Sequence, residues 1–279
     1  MENLKKIAIG GVGDFSVFHF FLLRFWKKSD TLEAETEKEG ADGMERLDKL
    51  LSSTGRWSRR EVKQLVREGR VLVDGVPAAG AEQKLDPGLS RVLVDGTEAV
   101  IRKYTYVMLN KPAGVLSATE DSRQETVLDL LSPELRRQGL FPVGRLDKDS
   151  EGLLLLTNDG DLAHRLLSPR RHVDKVYYIR VDRPLGEEDR EAFARGVTLA
   201  DGTACLPAGL EPLGDGSEAL VTLHEGKFHQ IKRMIASRGA AVCQLKRLSM
   251  GTLVLDEELG KGKYRLLTGE EVSKIGGKP

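Results

Sequence analysis

The first regular pattern along the chain is an apolar stripe at helical spacing that starts after residue 44. Leucines at 47, 50 and 51 recur on one helix face and predict a first helix. Ser58, followed three positions later by Glu61, is the capping-box pattern that begins a second helix. Gly69 is typical of the position just beyond a helix end. Two consecutive helices are therefore predicted before residue 70.

Short extended runs follow these helices, and each run is closed by a tight-turn dipeptide. Val-Leu-Val occurs at 71–73 and again at 92–94, and Asp-Gly follows both runs. Alternating apolar residues that end in Asp-Gly predict a strand with a tight hairpin turn. Residues 44–100 are therefore predicted to form a small helix–helix–hairpin domain.

The pattern changes after residue 100, where short strands and helices are mixed without strict alternation or an internal repeat. We predict strands over 106–109, 153–156, 176–181 and 219–224, and helices over 126–131, 161–167 and 228–238. An irregular order of this kind favours an α+β fold built on a mostly antiparallel sheet. Residues 101–279 are expected to form this second domain.

The N-terminal segment differs from the rest of the chain. Residues 15–26 are rich in phenylalanine and leucine, but His19 and Arg24 interrupt them, and the run is shorter than the ~20 apolar residues that span a bilayer. No small-residue cleavage site follows, as a signal peptide requires. We expect residues 1–43 to be a disordered extension, or the product of a start upstream of Met44. A membrane-surface helix is the alternative.

Composition limits the compartment and the cofactors. The 279 residues include 43 basic and 43 acidic side chains, so only the distribution of charge can point to a partner. The two cysteines, Cys205 and Cys243, are too few for a disulfide framework and indicate a reduced, cytoplasmic protein. The histidines are scattered, and no cysteine–histidine cluster has metal-ligand spacing, so we expect no metal site.

Positive charge is concentrated around the predicted second helix. Arg59, Lys63, Arg67 and Arg70 recur three or four positions apart, which places them on one helix face. Such a face on a small domain suits the phosphate backbone of a nucleic acid, although charge alone leaves a solvated helix face open. The residues expected to contact such a partner are Arg46, Lys49, Arg59, Arg60, Lys63 and Arg67.

Asp147 is the first candidate for chemistry. It lies in an Arg-Leu-Asp turn shortly before the predicted strand over 153–156, where a carboxylate is held more rigidly than in a solvated loop. A carboxylate buried alone loses its charge, whereas a cation within about 4–6 Å keeps it ionised, and the region of Lys232 offers one. On composition alone, the alternative is a turn-capping aspartate in a salt bridge.

Two further segments contribute candidate residues. Strand alternation places Tyr177 on the opposite face from Val176 and Tyr178. The segment from residue 227 to residue 247 has no acidic residue, which suits a polyanion. Its basic residues are Lys227, Lys232, Arg233, Arg238, Lys246 and Arg247. A core tyrosine and a solvated helix face are the structural alternatives.

These segments belong to a larger set of motifs in a fixed order. LNKPAGV at 109–115, GRLDKDSEGLLLLTNDG at 144–160, KVY at 175–177 and GKFHQIKRM at 226–234 resemble motifs of RNA pseudouridine synthases. Residues 44–96 resemble the alpha-L RNA-binding domain, and this combination is typical of the RsuA-like branch. The resemblance implies an alpha-L domain over 44–100 and an α+β pseudouridine synthase domain over 101–279.

The resemblance also implies the chemistry. Asp147 matches the aspartate that the family needs for uridine isomerisation, in which the C1′–N1 bond breaks and the uracil rejoins through C5 without a cofactor. Tyr177 matches the tyrosine that stacks on the target base, and Lys232 matches the basic partner of the aspartate. Arg145 is expected to help hold the displaced nucleotide.

A substrate and a setting follow from the same resemblance. The residues expected to contact the RNA backbone while the target base is extruded are Lys227, Arg233, Lys246 and Arg247. The pattern from His229 to Lys232 resembles the enzymes of small-subunit (16S) ribosomal RNA more than the 23S branch. We therefore expect a monomeric cytoplasmic enzyme, free of membranes, metal and cofactor, that acts on ribosomal RNA or a precursor particle. A non-catalytic ribosome-assembly factor is the alternative.

Overall fold

The computed structural model describes residues 44–168 and 173–277. The expected extension over 1–43, with its apolar run, lies outside these described residues. The first part of the described chain contains the helices α1 (Leu47–Ser53) and α2 (Arg59–Arg67). Its strands are β1 (Glu45–Arg46), β2 (Val71–Val73), β3 (Val76–Pro77), β4 (Lys84–Leu85), β5 (Val92–Val94) and β6 (Thr97–Glu98).

Local sequence rules account for most of this small domain. At the start of α2, the Glu61 backbone N–H donates to Ser58 Oγ at 3.2 Å, and the Ser58 N–H donates to Glu61 Oε2 at 2.6 Å, which confirms the predicted capping box. Asp74 and Asp95 have φ angles of 52° and 51°, as the predicted hairpin turns require. The strands pair in the order β3-β2-β5-β6, and the stripes of both helices are buried against them.

The placement of Arg70 on the face of α2 was predicted wrongly. The helix ends at Arg67, Glu68 caps it, and Gly69 at φ 69° turns the chain away from the helix axis. Arg70 consequently lies outside α2, and its guanidinium forms ion pairs with Asp95 at 2.7 Å and Glu68 at 3.0 Å.

The second part of the chain is built on a large sheet. Its strands are β7 (Tyr106–Lys111), β8 (Phe141–Pro142), β9 (Glu151–Thr157), β10 (Lys175–Val181), β11 (Gly209–Leu213), β12 (Glu218–Leu223), β13 (Val242–Met250), β14 (Leu253–Val254) and β15 (Tyr264–Leu266). Its helices are α3 (Pro133–Arg136), α4 (Gly160–Leu167), α5 (Glu187–Arg195), α6 (Gln230–Ser237) and α7 (Gly269–Lys274).

The sheet confirms the predicted α+β class. Its main strands run in the order β11-β12-β10-β13-β9-β7-β15, with β8 and β14 paired beside β9 and β13. The β13–β9 pair is parallel, whereas the other pairs of named strands in the described residues are antiparallel. Phe193 of α5 and Met234 of α6 are fully buried in one cluster with Ile179 of β10, so these helices cover one face of the sheet.

The helix predicted over 126–131 does not form. Residues 127–130 form a turn, in which the Asp129 carboxylate accepts hydrogen bonds from both the N–H and the hydroxyl of Thr126, each at 2.9 Å. Short polar side chains that bond to nearby backbone offer the chain an alternative to a helix. The helix in this region is α3, which starts one turn later with Ser132 as its N-cap.

The two parts of the chain are in direct contact. Gln138 Nε2 donates to the Thr54 carbonyl at 2.8 Å, and Arg137 donates to the Gly55 carbonyl at 3.3 Å. A Cβ added at Gly55 would lie 1.8 Å from the Glu134 carbonyl oxygen, so the backbones meet where no side chain fits. These contacts define the orientation of the small domain against the sheet domain.

Neither a membrane span nor a metal cluster is found within residues 44–168 and 173–277. No helix there is both long and apolar enough to cross a bilayer. No three histidine, cysteine, aspartate or glutamate side chains there are grouped so that they could hold a metal ion. Cys205 is buried and Cys243 is exposed, and both are free thiols.

Gly152 permits the parallel contact that joins the two halves of the sheet. Residue 152 of β9 faces Arg247 of β13 in the parallel ladder. A Cβ at this position would lie 2.3 Å from the Arg247 carbonyl oxygen, and the backbone has φ 99°, which side-chain-bearing residues rarely adopt.

Gly152→Ala is therefore expected to lower the free energy of unfolding by about 2–4 kcal/mol, because β13 must move away from β9. Urea denaturation followed by circular dichroism measures the change. Gly160→Ala is the matched control, since nothing lies within 4 Å of a Cβ there and the residue is helical. Equal stability of the two variants would contradict this account.

Candidate active site

Asp147 lies in the loop between β8 and β9, beside the first turn of α6. Its Oδ2 is 3.1 Å from Lys232 Nζ, and its Oδ1 is 3.4 Å from His229 Nε2. Its side chain is 25% exposed, so the carboxylate is neither sealed in the core nor freely solvated. The predicted approach of Lys232 to Asp147 is confirmed. The adjacent N-terminus of α6 adds a favourable dipole for a negative charge.

Lys232 is shared between two carboxylates. Its Nζ also lies 2.5 Å from Asp149 Oδ1. Burial alone would lower the pKa of Lys232, but the contacts with Asp149 and Asp147 outweigh this cost and raise that pKa above its ordinary value. The same contact lowers the pKa of the Asp149 carboxyl. The stabilising contribution of Lys232 is therefore complete below the ordinary lysine pKa and is lost as pH rises through the raised value.

A second lysine, Lys111, holds the backbone of the Asp147 turn. It is the last residue of β7 and is fully buried. Burial lowers its pKa to about 8, against the opposing charges of Asp149 and Asp147. Its Nζ lies within hydrogen-bond distance of four carbonyl oxygens, those of Pro112 (3.0 Å), Asp147 (3.1 Å), Lys148 (3.2 Å) and Ser150 (2.8 Å).

Ser117 holds the turn from the other side. Its hydroxyl donates to the Leu146 carbonyl at 2.8 Å and accepts from the Leu146 N–H at 3.1 Å. Sequence reasoning missed Lys111, Ser117, Asp149 and His229 as parts of the site. The only sequence sign of Lys111 was its place in the 109–115 motif, directly after an apolar strand. Ser117 gave no sign, because its partner is distant in sequence.

Tyr177 lies in the apolar cluster beneath the site. It is buried together with Leu146 and Ile231, the residues that directly precede Asp147 and Lys232. Tyr178 belongs to a separate cluster, which confirms the predicted alternation along β10. The packing of Leu146, Tyr177 and Ile231 brings the loop, the strand and the helix together, and the catalytic role of Tyr177 stays a prediction.

The basic run from 227 to 247 is less available to a polyanion than its sequence indicates. Lys227 pairs with Glu225, Arg233 with Asp201, and Arg238 with Asp189. Carboxylates from outside the run therefore neutralise the charge of three of its basic side chains. Burial lowers the pKa of Lys246, and the charge of Lys261 lowers it further.

Arg247 was predicted wrongly as an RNA contact. The side chain is buried, and its Nε donates to the Leu153 carbonyl at 2.7 Å within the sheet. It therefore cannot reach a phosphate backbone. Arg145, in contrast, is exposed beside Leu146 and has no ion pair within the described residues.

The small domain keeps a cationic face free of ion pairs. Arg46 pairs with the buried Asp48 at 2.8 Å, and Lys49 pairs with Glu45 at 3.1 Å. Four basic residues of α2 are exposed and form no salt bridge in the described chain; they are Arg59, Arg60, Lys63 and Arg67. Of the predicted contacts in this domain, these four have the most accessible charge.

Comparison with known proteins identifies the family. The family model described as RNA pseudouridylate synthase matches residues 105–237, and the S4 domain model matches residues 45–89. An uncharacterized RNA pseudouridine synthase of Bacillus subtilis (strain 168) is 50% identical over 230 residues, which cover 81% of this chain and 96% of the relative. The chain belongs to the RNA pseudouridine synthase family.

Other relatives support the same family. Ribosomal small subunit pseudouridine synthase A of Vibrio cholerae serotype O1 is 41% identical over 231 residues, covering 82% of this synthase and 99% of the relative. A solved structure described as a pseudouridylate synthase superposes with a TM-score of 0.59 at 33% identity, covering 82% of this chain and 99% of that one. The resemblance to an RsuA-like synthase behind an alpha-L, or S4, domain is confirmed.

The Lys111 contacts lead to a prediction about the stability of the synthase. Lys111→Met keeps the length and burial of the side chain but removes the donor for four carbonyl oxygens. We expect the free energy of unfolding to fall by about 2–4 kcal/mol, and hydrogen exchange of the amides at 147–150 to accelerate. Mass-spectrometric hydrogen exchange and urea denaturation measure both effects.

Lys148→Met is the matched control for that experiment. Lys148 lies in the same turn, but its side chain is exposed and, among the described residues, donates only to Gln124. Its replacement is expected to change stability by less than about 0.5 kcal/mol. Equal effects of the two variants would show that the buried ammonium does not hold the turn.

Proposed function

We propose that this synthase isomerises a uridine of small-subunit (16S) ribosomal RNA and that Asp147 supplies its catalytic carboxylate. The observation that carries the proposal is the position of the Asp147 carboxylate, which is partly exposed, 3.1 Å from the Lys232 ammonium and set on a turn held by buried hydrogen bonds. A partly exposed carboxylate can meet a nucleotide, and the neighbouring ammonium fixes its orientation.

The reaction exchanges bonds within one nucleotide. The Asp147 carboxylate promotes cleavage of the C1′–N1 bond of the target uridine. The freed uracil turns and rejoins the ribose through C5, after which C5 loses its proton and N1 gains one. Because the product is an isomer of the substrate, no atoms or electrons are supplied from outside.

Tyr177 and Arg145 are proposed to act on the substrate around Asp147. Tyr177 supports the base from the apolar cluster next to Leu146. Arg145, which is exposed two residues before Asp147, helps to hold the displaced nucleotide. Lys232 orients the carboxylate through its contact at 3.1 Å. Each role rests on the position of the side chain relative to Asp147 and on its match to the family's motifs.

The target base must leave its stack to reach Asp147, which costs a few kcal/mol. Contacts with the phosphate backbone offset this cost, and the free cationic face of α2 is the largest source of them. Lys227, Arg233 and Lys246 are secondary candidates, because Lys227 and Arg233 already form ion pairs and Lys246 is partly buried.

The choice of 16S RNA rests on the His229–Lys232 pattern and on relatives that carry the small-subunit name, such as that of Vibrio cholerae. We further propose that the synthase acts as a monomer in the cytoplasm, where its substrate is made. A 23S target is the second outcome of the assay described next.

Tritium release from transcripts labelled at uridine C5 tests the activity. We expect release from 16S RNA or a small-subunit precursor particle and none from 23S RNA. Release from 23S RNA alone would reassign the substrate. Binding without release from any ribosomal RNA or particle would favour the non-catalytic assembly factor.

Asp147→Asn is expected to abolish tritium release while leaving RNA affinity within a few-fold, because the amide keeps the shape of the side chain but not its charge. Asp149→Asn is the matched control in the same turn, since Asp149 also contacts Lys232. That control is expected to retain most of the activity. Turnover by Asp147→Asn would remove Asp147 from its proposed role.

The α2 face predicts a change in salt dependence. Replacing Arg59, Lys63 and Arg67 together with glutamine is expected to weaken binding and to reduce the slope of log affinity against log salt by about two to three. Filter binding across a salt series measures this slope. A control with the same loss of charge replaces Arg91, Arg190 and Arg195, which are ion-paired at the surface. Identical slopes for both triple variants would show that α2 does not contact RNA.

A further inference from the structure

Phe228 is a large aromatic side chain that the fold leaves 75% exposed at the edge of the site. Among the large apolar side chains that the described residues expose, it is the only aromatic one. Its ring stacks on the ring of His229, with the centroids 3.8 Å apart and the planes inclined by 19°. The His229 ring also contacts Asp147, so the His229 ring lies next to the carboxylate and the Phe228 ring lies beyond it.

The backbone holds His229 in an unusual conformation. Its φ of 47° and ψ of 35° place it in the left-handed region. The other non-glycine residues with positive φ in the described chain are Asp74 and Asp95, both in Asp-Gly hairpin turns. His229 is the N-cap residue of α6, yet its side chain makes no capping hydrogen bond and approaches Asp147 instead. Strained backbone conformations of this kind cluster at functional sites, which points to a function for the His229 ring.

The turn that carries Phe228 is held by hydrogen bonds on both sides. The Lys227 N–H donates to Gln230 Oε1 at 2.9 Å, and Gln230 Nε2 donates to Glu225 at 2.7 Å. Gln230 itself is buried. The Phe228 ring is therefore presented to solvent on a braced turn, and exposing it costs the free energy that its burial would have supplied.

We propose that Phe228 and His229 form a stacking platform for a base next to the target uridine. This inference rests on the proposed function, since it names a further contact of the same RNA. His229 lies against Asp147, where the target sugar must sit, and occupies one face of the Phe228 ring. The free face of Phe228 is one ring further out, so the base that meets it belongs to a neighbouring nucleotide.

The chemistry of the platform selects an unpaired base over other partners. An aromatic face gains about 1–3 kcal/mol from stacking on one base and accepts any base, because every base has a π face. Two basic residues are candidates to contact the sugar-phosphate chain around that base: the partly exposed Lys227, which directly precedes Phe228, and the exposed Arg145, two residues before Asp147. Phe228 is thus a positioning residue, which keeps the nucleotide beside the target in place while the target base leaves its stack.

Binding and kinetics of Phe228 variants on 16S transcript test the platform. Phe228→Leu keeps an apolar side chain but removes the ring, and it is expected to raise the dissociation constant and KM at least about fivefold, with kcat changed less than KM. Phe228→Tyr is expected to match the wild type. Leu89→Ala, at another exposed apolar side chain, is the control and is expected to have no effect. Unchanged melting temperatures establish that all variants fold.

Phe228→Trp gives a readout that does not depend on turnover. Its fluorescence, corrected for the wild-type tryptophans, is expected to be quenched when the 16S transcript or an oligouridine is added, because a stacked base quenches indole. No quenching at saturating RNA, or wild-type affinity for Phe228→Leu, would overturn the platform. A Phe228→Leu defect confined to assembled particles would also overturn it and would point to a protein contact. If RNA quenches the Phe228→Trp fluorescence but no tritium is released, the proposed function is wrong and the stacking contact is still supported.

Discussion

The structure of the site depends on one buried cation, the Lys111 ammonium at the end of β7. Burying an ammonium is costly unless other dipoles replace its water, and here four backbone carbonyls do so. Because these carbonyls belong to the backbone, the buried charge is satisfied without using the Asp147 carboxylate. The Asp147 side chain is therefore available to contact Lys232, while its carbonyl accepts a hydrogen bond from Lys111 at the end of β7.

The basic residues fall into two groups, those whose charge is paired or buried within the fold and those that remain exposed without an ion pair. In the sheet domain, Lys227, Arg233 and Arg238 each face a carboxylate, and Arg247 is enclosed by the sheet. In the small domain, the basic residues of α2 remain exposed without such partners. A chain with no net charge can thus present a local cationic surface, because many of its other basic residues are paired with carboxylates. The unpaired basic residues of α2 lie in the domain that carries the S4 match.

Rigid connections relate this surface to the site. The carbonyls of Thr54 and Gly55 accept hydrogen bonds from Gln138 and Arg137, and the close approach at Gly55 leaves no room for adjustment. On the other side of the site, the braced turn at 227–230 presents Phe228. The RNA contacts proposed for α2 and for this turn therefore lie on segments whose positions relative to Asp147 are set by the fold.

The sequence alone determined features that depend on neighbouring residues. The capping box at Ser58, the Asp-Gly turns, the alternation around Tyr177 and the ordered motifs that reveal the family all follow from local backbone and side-chain chemistry. Only the tertiary structure decided which charges are free and what holds Asp147 in place. Arg247 is buried, Arg70 is paired with Asp95, and Lys111 is bonded to a turn about 36 residues away in sequence, because each partner is supplied by a distant segment. Such pairings leave no periodic pattern, since they arise where separate strands and loops meet in the folded chain.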